Sequence, residues 1–135
     1  MSSSKPLVLF VCRHNTGRSQ MAEAYFRTFA GNAFDVASAG TEAADAPNAG
    51  VVAAMAEDGI DISAARPKLI DPELAARAAT IVTMGCDVQG VPRIDADWGL
   101  PDPKGQPPER VREIRDMTKA KARALADAML SRSRD

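Results

Sequence analysis

The sequence predicts an α/β fold: a small three-layer open parallel sheet of four strands with helices on both faces. Three observations carry that expectation. Apolar runs at Pro6–Val11 and Thr80–Met84 have the length of buried strands. Apolar residues at helical spacing fill the stretches between and after them, as in Met21, Ala22, Tyr25, Phe26 and Phe29. Strand and helix patterns alternate along the chain, which is how parallel strands joined by helical crossovers read.

Each element follows in order. The first strand leads directly into the segment Cys12 to Ser19, and the first helix comes next, stopped by Gly31-Asn32. Phe34 to Ala39 alternates well enough for a second strand, ended by Gly40-Thr41. Glu42 to Asn48 is a loop, and Val51, Val52, Met55 and Ala56 carry a helix that Gly59 stops. Asp71-Pro72-Glu73 opens another helix, a capping aspartate before a proline at the first helical position, running to about Ala78. Thr80–Met84 is the third strand and Pro92–Ala96 the fourth. Asp97 to Gly105 is a proline- and glycine-punctuated loop. Val111, Ile114, Thr118, Ala122, Leu125 and Met129 then mark a long amphipathic helix.

At 135 residues, residues 1–135 are expected to form a single domain, with residues 1–5 a frayed start. The formal net charge of −1 gives no reason to expect nucleic acid or an anionic membrane as partner. Charge is unevenly spread. Asp35 to Asp61 holds acids and no bases, while the last third is rich in Lys and Arg, as solvated helix faces are. No apolar run is long enough to span a bilayer, and Met1–Lys5 lacks the apolar core of a signal peptide, so a cytoplasmic protein is expected. Its state is expected to be monomeric. The single histidine, His14, belongs to no cluster with ligand spacing, so no metal is expected. The two cysteines, Cys12 and Cys86, could form one structural disulfide; in a reducing compartment a catalytic or redox role is favoured.

Chemistry concentrates in Cys12-Arg13-His14-Asn15-Thr16-Gly17-Arg18-Ser19. A turn between a strand and a helix aims free backbone N–H groups at one point, and the helix dipole adds positive potential there. A cysteine at its first position sits in a field that favours thiolate, beside any bound oxyanion. Arg18, six residues on, can fork two oxygens of a tetrahedral anion. Cys86 ends the third strand as Cys12 ends the first, and in a parallel sheet those ends share one edge.

The segment Val11-Cys12-Arg-His-Asn15-Thr-Gly-Arg18-Ser19-Gln20-Met21-Ala22-Glu23-Ala24 resembles the signature of arsenate reductases built on the low-molecular-weight tyrosine phosphatase fold. Ser38-Ala-Gly-Thr41, Gly59-Ile-Asp-Ile-Ser63, Val82-Thr-Met-Gly-Cys86 and Trp98-Gly-Leu-Pro-Asp-Pro103 are similar to that family at matching intervals, and the resemblance runs from Leu7 to about Met129. It implies strand order 2-1-3-4. It also implies reduction of arsenate to arsenite in arsenic detoxification, with phosphate or sulfate as mimics of the substrate. Cys12 would be the nucleophile. Arg18 and the N–H groups of Arg13, His14, Asn15, Thr16, Gly17, Arg18 and Ser19 would hold the oxyanion. Asn15 would brace the loop, and Ser19 would hydrogen-bond the Cys12 sulfur. Asp102, buried beside the anion, would protonate the leaving oxygen. Cys86 matches the resolving cysteine, which would release arsenite and leave a Cys12–Cys86 disulfide.

Departures from the family pattern accompany the match. Thioredoxin-linked members carry a further cysteine at the position of Val91. Two routes therefore stay open for the external reductant: thioredoxin acting on a Cys12–Cys86 bridge, or mycothiol, bacillithiol or glutathione with a glutaredoxin-like protein. No cofactor is expected to be bound. Gly17 stands where many relatives have a second loop cysteine, and Arg13 and His14 replace small residues; their side chains either add positive charge near the anion, the favoured reading, or face solvent. Some relatives hold potassium with residues matching Asn15, Glu23 and Ser38. Lys68 aligns with their fourth ligand, and its ammonium is expected to replace the ion. Two alternatives remain: a low-molecular-weight tyrosine phosphatase, and a non-catalytic oxyanion- or arsenite-binding or redox-sensing protein. Weak aryl-phosphate hydrolysis is compatible with the first reading as well.

Overall fold

The structure is a computed structural model that describes residues 5–42, 44–85 and 88–133. Strand β1 (Leu7–Cys12) is followed by helix α1 (Arg18–Ala30), a 3-10 turn over Gly31–Ala33, strand β2 (Asp35–Gly40) and helix α2 (Ala49–Glu57). Helix α3 (Pro72–Arg77), strand β3 (Thr80–Thr83), strand β4 (Ala96–Asp97) and helix α4 (Pro108–Ser133) complete the chain. The sheet order is β2-β1-β3-β4, with every pair parallel.

Strand β1 explains itself. All six of its residues are buried, as a central parallel strand covered on both faces requires. Val8, Phe10 and Cys12 face one core with residues of α1, α2 and α4; Leu7, Leu9 and Val11 face a second core under α3. The two sets alternate because successive side chains of a strand point to opposite faces. The stripe predicted for the last helix is the packed one, with Val111, Ile114, Thr118, Ala122 and Met129 buried. Sequence-local capping holds as well. Asn48 accepts from the N–H groups of Gly50 and Val51 to start α2, and Asp71 accepts from that of Glu73 to start α3.

Register fixes the functional edge. Cys12 lies opposite Gly40, Val11 opposite Thr83, and Thr83 opposite Asp97, so the carboxyl ends of all four strands reach one rim.

The fourth strand differs from the expectation of Pro92–Ala96. Only Ala96 and Asp97 pair. Before them, the Asp95 N–H still donates to the Ile81 carbonyl at 2.9 Å, and side chains take the other groups a strand would have taken. The Asp95 carboxylate accepts the Ile81 N–H at 2.8 Å, and Arg93 Nη2 donates to the carbonyls of Ala78 and Ala79 at 2.8 Å each. Pro92 has no N–H to add to a ladder. Strand β2 begins one residue later than expected and runs through Gly40, because Gly40 pairs with Cys12 and bridges onward to Leu69. No helix among the described residues is long and apolar enough to cross a membrane.

Candidate active site

The loop after β1 is built by turning its carbonyls outward. The Cys12, Arg13 and His14 carbonyls accept from the N–H groups of Thr41, Glu42 and Ala44, and the Thr16 carbonyl accepts from Asn48. In a planar trans peptide the next N–H points the opposite way. The N–H groups of Arg13, His14, Asn15 and Gly17 are thereby turned toward the loop interior. That of Asn15 meets the Cys12 sulfur at 3.3 Å.

Gly40 makes this possible. A Cβ there would lie 2.6 Å from the Arg13 carbonyl oxygen and 2.9 Å from the Asn15 nitrogen. The strand end and the loop are in backbone contact, and only glycine leaves room.

Asn15 is the keystone. Its φ of 57° is the left-handed conformation that asparagine tolerates better than most residues. It is fully buried, and each end of its amide is used. Nδ2 donates to Ser19 Oγ at 2.7 Å. Oδ1 accepts from the backbone N–H of Lys68 at 2.9 Å and from Gln20 Nε2 at 3.2 Å. Because Nδ2 can only donate, Ser19 Oγ accepts there and keeps its own hydrogen for the Cys12 sulfur, 2.8 Å away. Cys12 is buried, so its sulfur sits under two donors rather than in water.

Arg18, the first residue of α1, lies across the rim. Its Nη1 donates to the carbonyls of Met84 at 3.1 Å and Leu100 at 3.0 Å, just beyond β3 and β4. Nη2 lies 3.9 Å from Asp102 Oδ2. One side chain therefore ties the segments after three strands together and keeps part of its fork for an anion.

Asp102 is not buried as expected: its side chain is 56 % exposed. Its Oδ1 accepts the Lys104 N–H at 3.0 Å in a tight turn, while Oδ2 faces Arg18. The turn holds the carboxyl at the mouth of the loop, where solvent reaches it. Arg13 and His14 also differ from expectation. Arg13 Nε donates to Glu42 Oε2 at 3.2 Å and His14 Nε2 lies 4.0 Å from Glu42 Oε1, so both side chains turn toward Glu42 and what they offer an anion is backbone N–H.

The expectation for Lys68 is corrected. Ser38 Oγ donates to Glu23 Oε1, and Arg27 Nη2 donates to Glu23 Oε2 at 2.6 Å. Arg27 supplies the positive charge beside Glu23, and the Lys68 ammonium donates to the Arg66 carbonyl at 3.4 Å. Lys68 supports the loop through its main chain instead. Arg27, one helical turn after Glu23, already reaches that carboxylate. Cys86 lies outside the described residues. Just before it, Gly85 has φ 96° and packs so closely on Gly99 that a Cβ would fall 2.8 Å from the Gly99 Cα.

Gln20, Gly40 and Arg27 are supports whose roles sequence reasoning did not assign. Gln20 and Gly40 lie within matched segments, and Arg27 stands one helical turn from Glu23, so each left a signal in the sequence.

A rim loop with a sulfur under two donors and a guanidinium across its mouth has the make-up of a thiol-based site. The model of the low molecular weight phosphotyrosine protein phosphatase family matches residues 7–93. An arsenate reductase of Brevibacillus brevis is 36 % identical over 130 residues, covering 92 % of this chain and 96 % of the relative. A solved arsenate reductase in a phosphate-binding state superposes with a TM-score of 0.81 at 32 % identity, covering 91 % of this chain and 98 % of that one. A thioredoxin-dependent arsenate reductase of Corynebacterium glutamicum gives a TM-score of 0.81 at 34 % identity, covering 97 % of this chain and 65 % of that one. The chain belongs to the low-molecular-weight phosphotyrosine phosphatase family, and within it to the arsenate reductases.

Proposed function

We propose that the protein reduces arsenate to arsenite with Cys12 as nucleophile. Cys12 sulfur attacks arsenic(V); an arsenate hydroxyl, protonated by Asp102, leaves as water, and an S–As bond forms. The Cys86 thiolate then attacks the Cys12 sulfur. A disulfide forms, the S–As pair stays on arsenic, and arsenic leaves as arsenite in the trivalent state. An external dithiol restores both cysteines and is itself oxidised to a disulfide.

The observation that carries this reading is the Cys12 sulfur, buried yet within 2.8 Å of Ser19 Oγ and 3.3 Å of the Asn15 nitrogen, under a loop of inward N–H groups. A buried sulfur that accepts from two donors is held in place at the foot of the loop. The phosphatase alternative finds less support. Asp102-Pro103 is followed by Lys104-Gly105, with no aromatic side chain to line a tyrosine slot.

A thioredoxin-type protein is the favoured reductant, since a related enzyme is thioredoxin-dependent. Such chemistry belongs to a reducing compartment, which supports the cytoplasm. Arsenite formation with thioredoxin and its reductase, against a small thiol with a glutaredoxin-type protein, tests both parts. Cys12→Ser is expected to be inactive with either system. Cys86→Ser is expected to fail with thioredoxin. Full activity of Cys86→Ser with a small thiol, and none for wild type with thioredoxin, would make the small thiol the reductant and Cys86 dispensable.

A further inference from the structure

Gly17 and Asp102 lie far apart in sequence, and the link between them is a proline ring. Pro103 is buried, although Asp102 and Lys104 on either side of it are exposed. The ring packs on the loop at Gly17. A Cβ built on Gly17 would lie 3.0 Å from Pro103 Cγ, 3.8 Å from Pro103 Cδ and 3.4 Å from Val51 Cγ2. Val51 is fully buried in α2, so that wall is fixed. The φ of Gly17 is −138°, so no left-handed backbone is required there, although its ψ of −86° lies outside the regions that other residues favour. Its missing side chain also provides room for Pro103.

The segment carrying Asp102 is held on both sides. The Leu100 N–H donates to the Met84 carbonyl at 3.1 Å and the Leu100 carbonyl accepts from Arg18 Nη1 at 3.0 Å, Asp102 Oδ2 faces Arg18 Nη2 at 3.9 Å, and Pro103 rests on Gly17. Of these contacts, only the one between Pro103 and Gly17 acts after Asp102. The Asp102 carboxyl itself is largely solvent-exposed and its Oδ1 is committed to the local turn with Lys104. Packing at Pro103 therefore decides how far Oδ2 stands from the loop.

We propose that Gly17 and Pro103 are positioning residues for Asp102: the bare Cα of Gly17 is the seat on which the Pro103 ring sets the distance between the carboxyl and the oxyanion. The inference rests on the assignment of Asp102 as the acid. A methyl group at residue 17 lifts the proline and, with it, the carboxyl; the carbonyl bonds of Cys12, Arg13, His14 and Thr16 that orient the loop do not involve that methyl group. The effect falls on turnover and not on anion binding, since displacement of a reacting group by a fraction of an ångström lowers rate without removing the oxyanion's ligands.

The test compares Gly17→Ala, Pro103→Ala, Asp102→Asn and the two double variants Gly17→Ala/Pro103→Ala and Gly17→Ala/Asp102→Asn, each shown to be folded by its melting transition. Arsenite formation gives kcat, and competitive inhibition by inorganic phosphate gives anion affinity. Gly17→Ala is expected to lower kcat by roughly tenfold and to move the phosphate inhibition constant by less than about twofold. Removing the ring removes the clash, so Gly17→Ala/Pro103→Ala is expected to have the kcat of Pro103→Ala alone. Gly17→Ala added to Asp102→Asn is expected to cost nothing further. A Gly17→Ala enzyme with unchanged kcat or with phosphate binding lost in step with kcat, or a Gly17→Ala/Pro103→Ala enzyme slower than Pro103→Ala alone, overturns the inference. If Asp102→Asn itself turns over normally, the acid assignment falls and the inference with it. If Asp102→Asn is impaired and Gly17→Ala is not, only the seat is wrong.

Discussion

Asn15 carries two separate loads, and they can be separated by mutation. One is backbone: φ of 57° costs an ordinary L-residue about 1 kcal/mol or more. The other is its amide, which joins Ser19, Gln20 and the main chain of Lys68. Asn15→Gly keeps the conformation and removes the amide; Asn15→Ala removes both. Both variants leave buried partners unsatisfied, and Asn15→Ala is expected to be destabilised by about 2–4 kcal/mol, with Asn15→Gly about 1 kcal/mol less affected. Both are expected to lose most arsenate turnover, because Ser19 loses the donor that orients its hydroxyl toward Cys12. Urea unfolding beside arsenite formation checks this; a glycine variant with full activity would show that the amide network does not orient Ser19. The places of Cys12 and Arg18 on the rim were legible from residue type and spacing within one loop, and the contact of Ser19 with the Cys12 sulfur from the family resemblance. The ammonium of Lys68 was misread because alignment gives a position and no rotamer. Only the folded chain shows that Arg27 already reaches Glu23.

At the scale of elements, the loop depends on β2 as much as on β1. Strand pairing puts Gly40 beside Cys12, and the loop then folds back over the strand end. Gly40→Ala would drive a methyl group to 2.6 Å from the Arg13 oxygen. Either the loop or the strand must move, and overpacking of this kind costs about 1–3 kcal/mol. The expected outcome is a stable but slow enzyme with weakened phosphate binding, because the inward N–H groups are displaced together. Phosphate inhibition and thermal melting measure the two effects; unchanged inhibition would mean that the loop does not rest on β2. In sequence, Gly40 reads as a strand stop inside a family-matching segment, but its packing role stays hidden, since the backbone it must avoid belongs to a distant segment. Strand β4 was misplaced for a related reason. Arg93 and Asp95 satisfy the start of β3 with side chains, so a stretch with strand-like composition stays outside the ladder. The long elements, with several turns or fully buried faces, were legible because their periodicity is redundant.

At the scale of the molecule, three helices on one face of the sheet meet at the carboxyl end of α2. Asp58 caps that end, where a negative charge opposes the helix dipole. Cations from α4 reverse the balance. Lys119 Nζ donates to Asp58 Oδ2 at 2.9 Å, and Arg115 Nη1 donates to the Ala54 carbonyl at 2.8 Å. From α1, the buried Tyr25 hydroxyl donates to Asp58 Oδ2 at 2.7 Å. The Tyr25 bond and then Lys119 hold the Asp58 carboxyl below its usual range, while burial, followed by the bond to Asp58, pushes the Tyr25 phenol well above its own. The signs follow. Asp58 binds its proton less readily when folded, so its contribution is present above the unfolded value of about 4 and is lost as pH falls through the lower folded one. Tyr25 holds its proton more tightly when folded, so its contribution is present below about 10 and is lost only as pH rises through the folded value. Tyr25→Phe is therefore expected to cost about 1–2 kcal/mol at neutral pH, where both contributions are in force. It is also expected to make the loss of stability on acidification shallower, since the largest influence holding Asp58 down is gone. Turnover per folded molecule should not change, because this junction touches none of the groups around Cys12. Urea midpoints across pH 3 to 7 decide the matter: a Tyr25→Phe protein with the wild-type midpoint and the wild-type pH slope would mean that the three helices are held by their apolar faces alone.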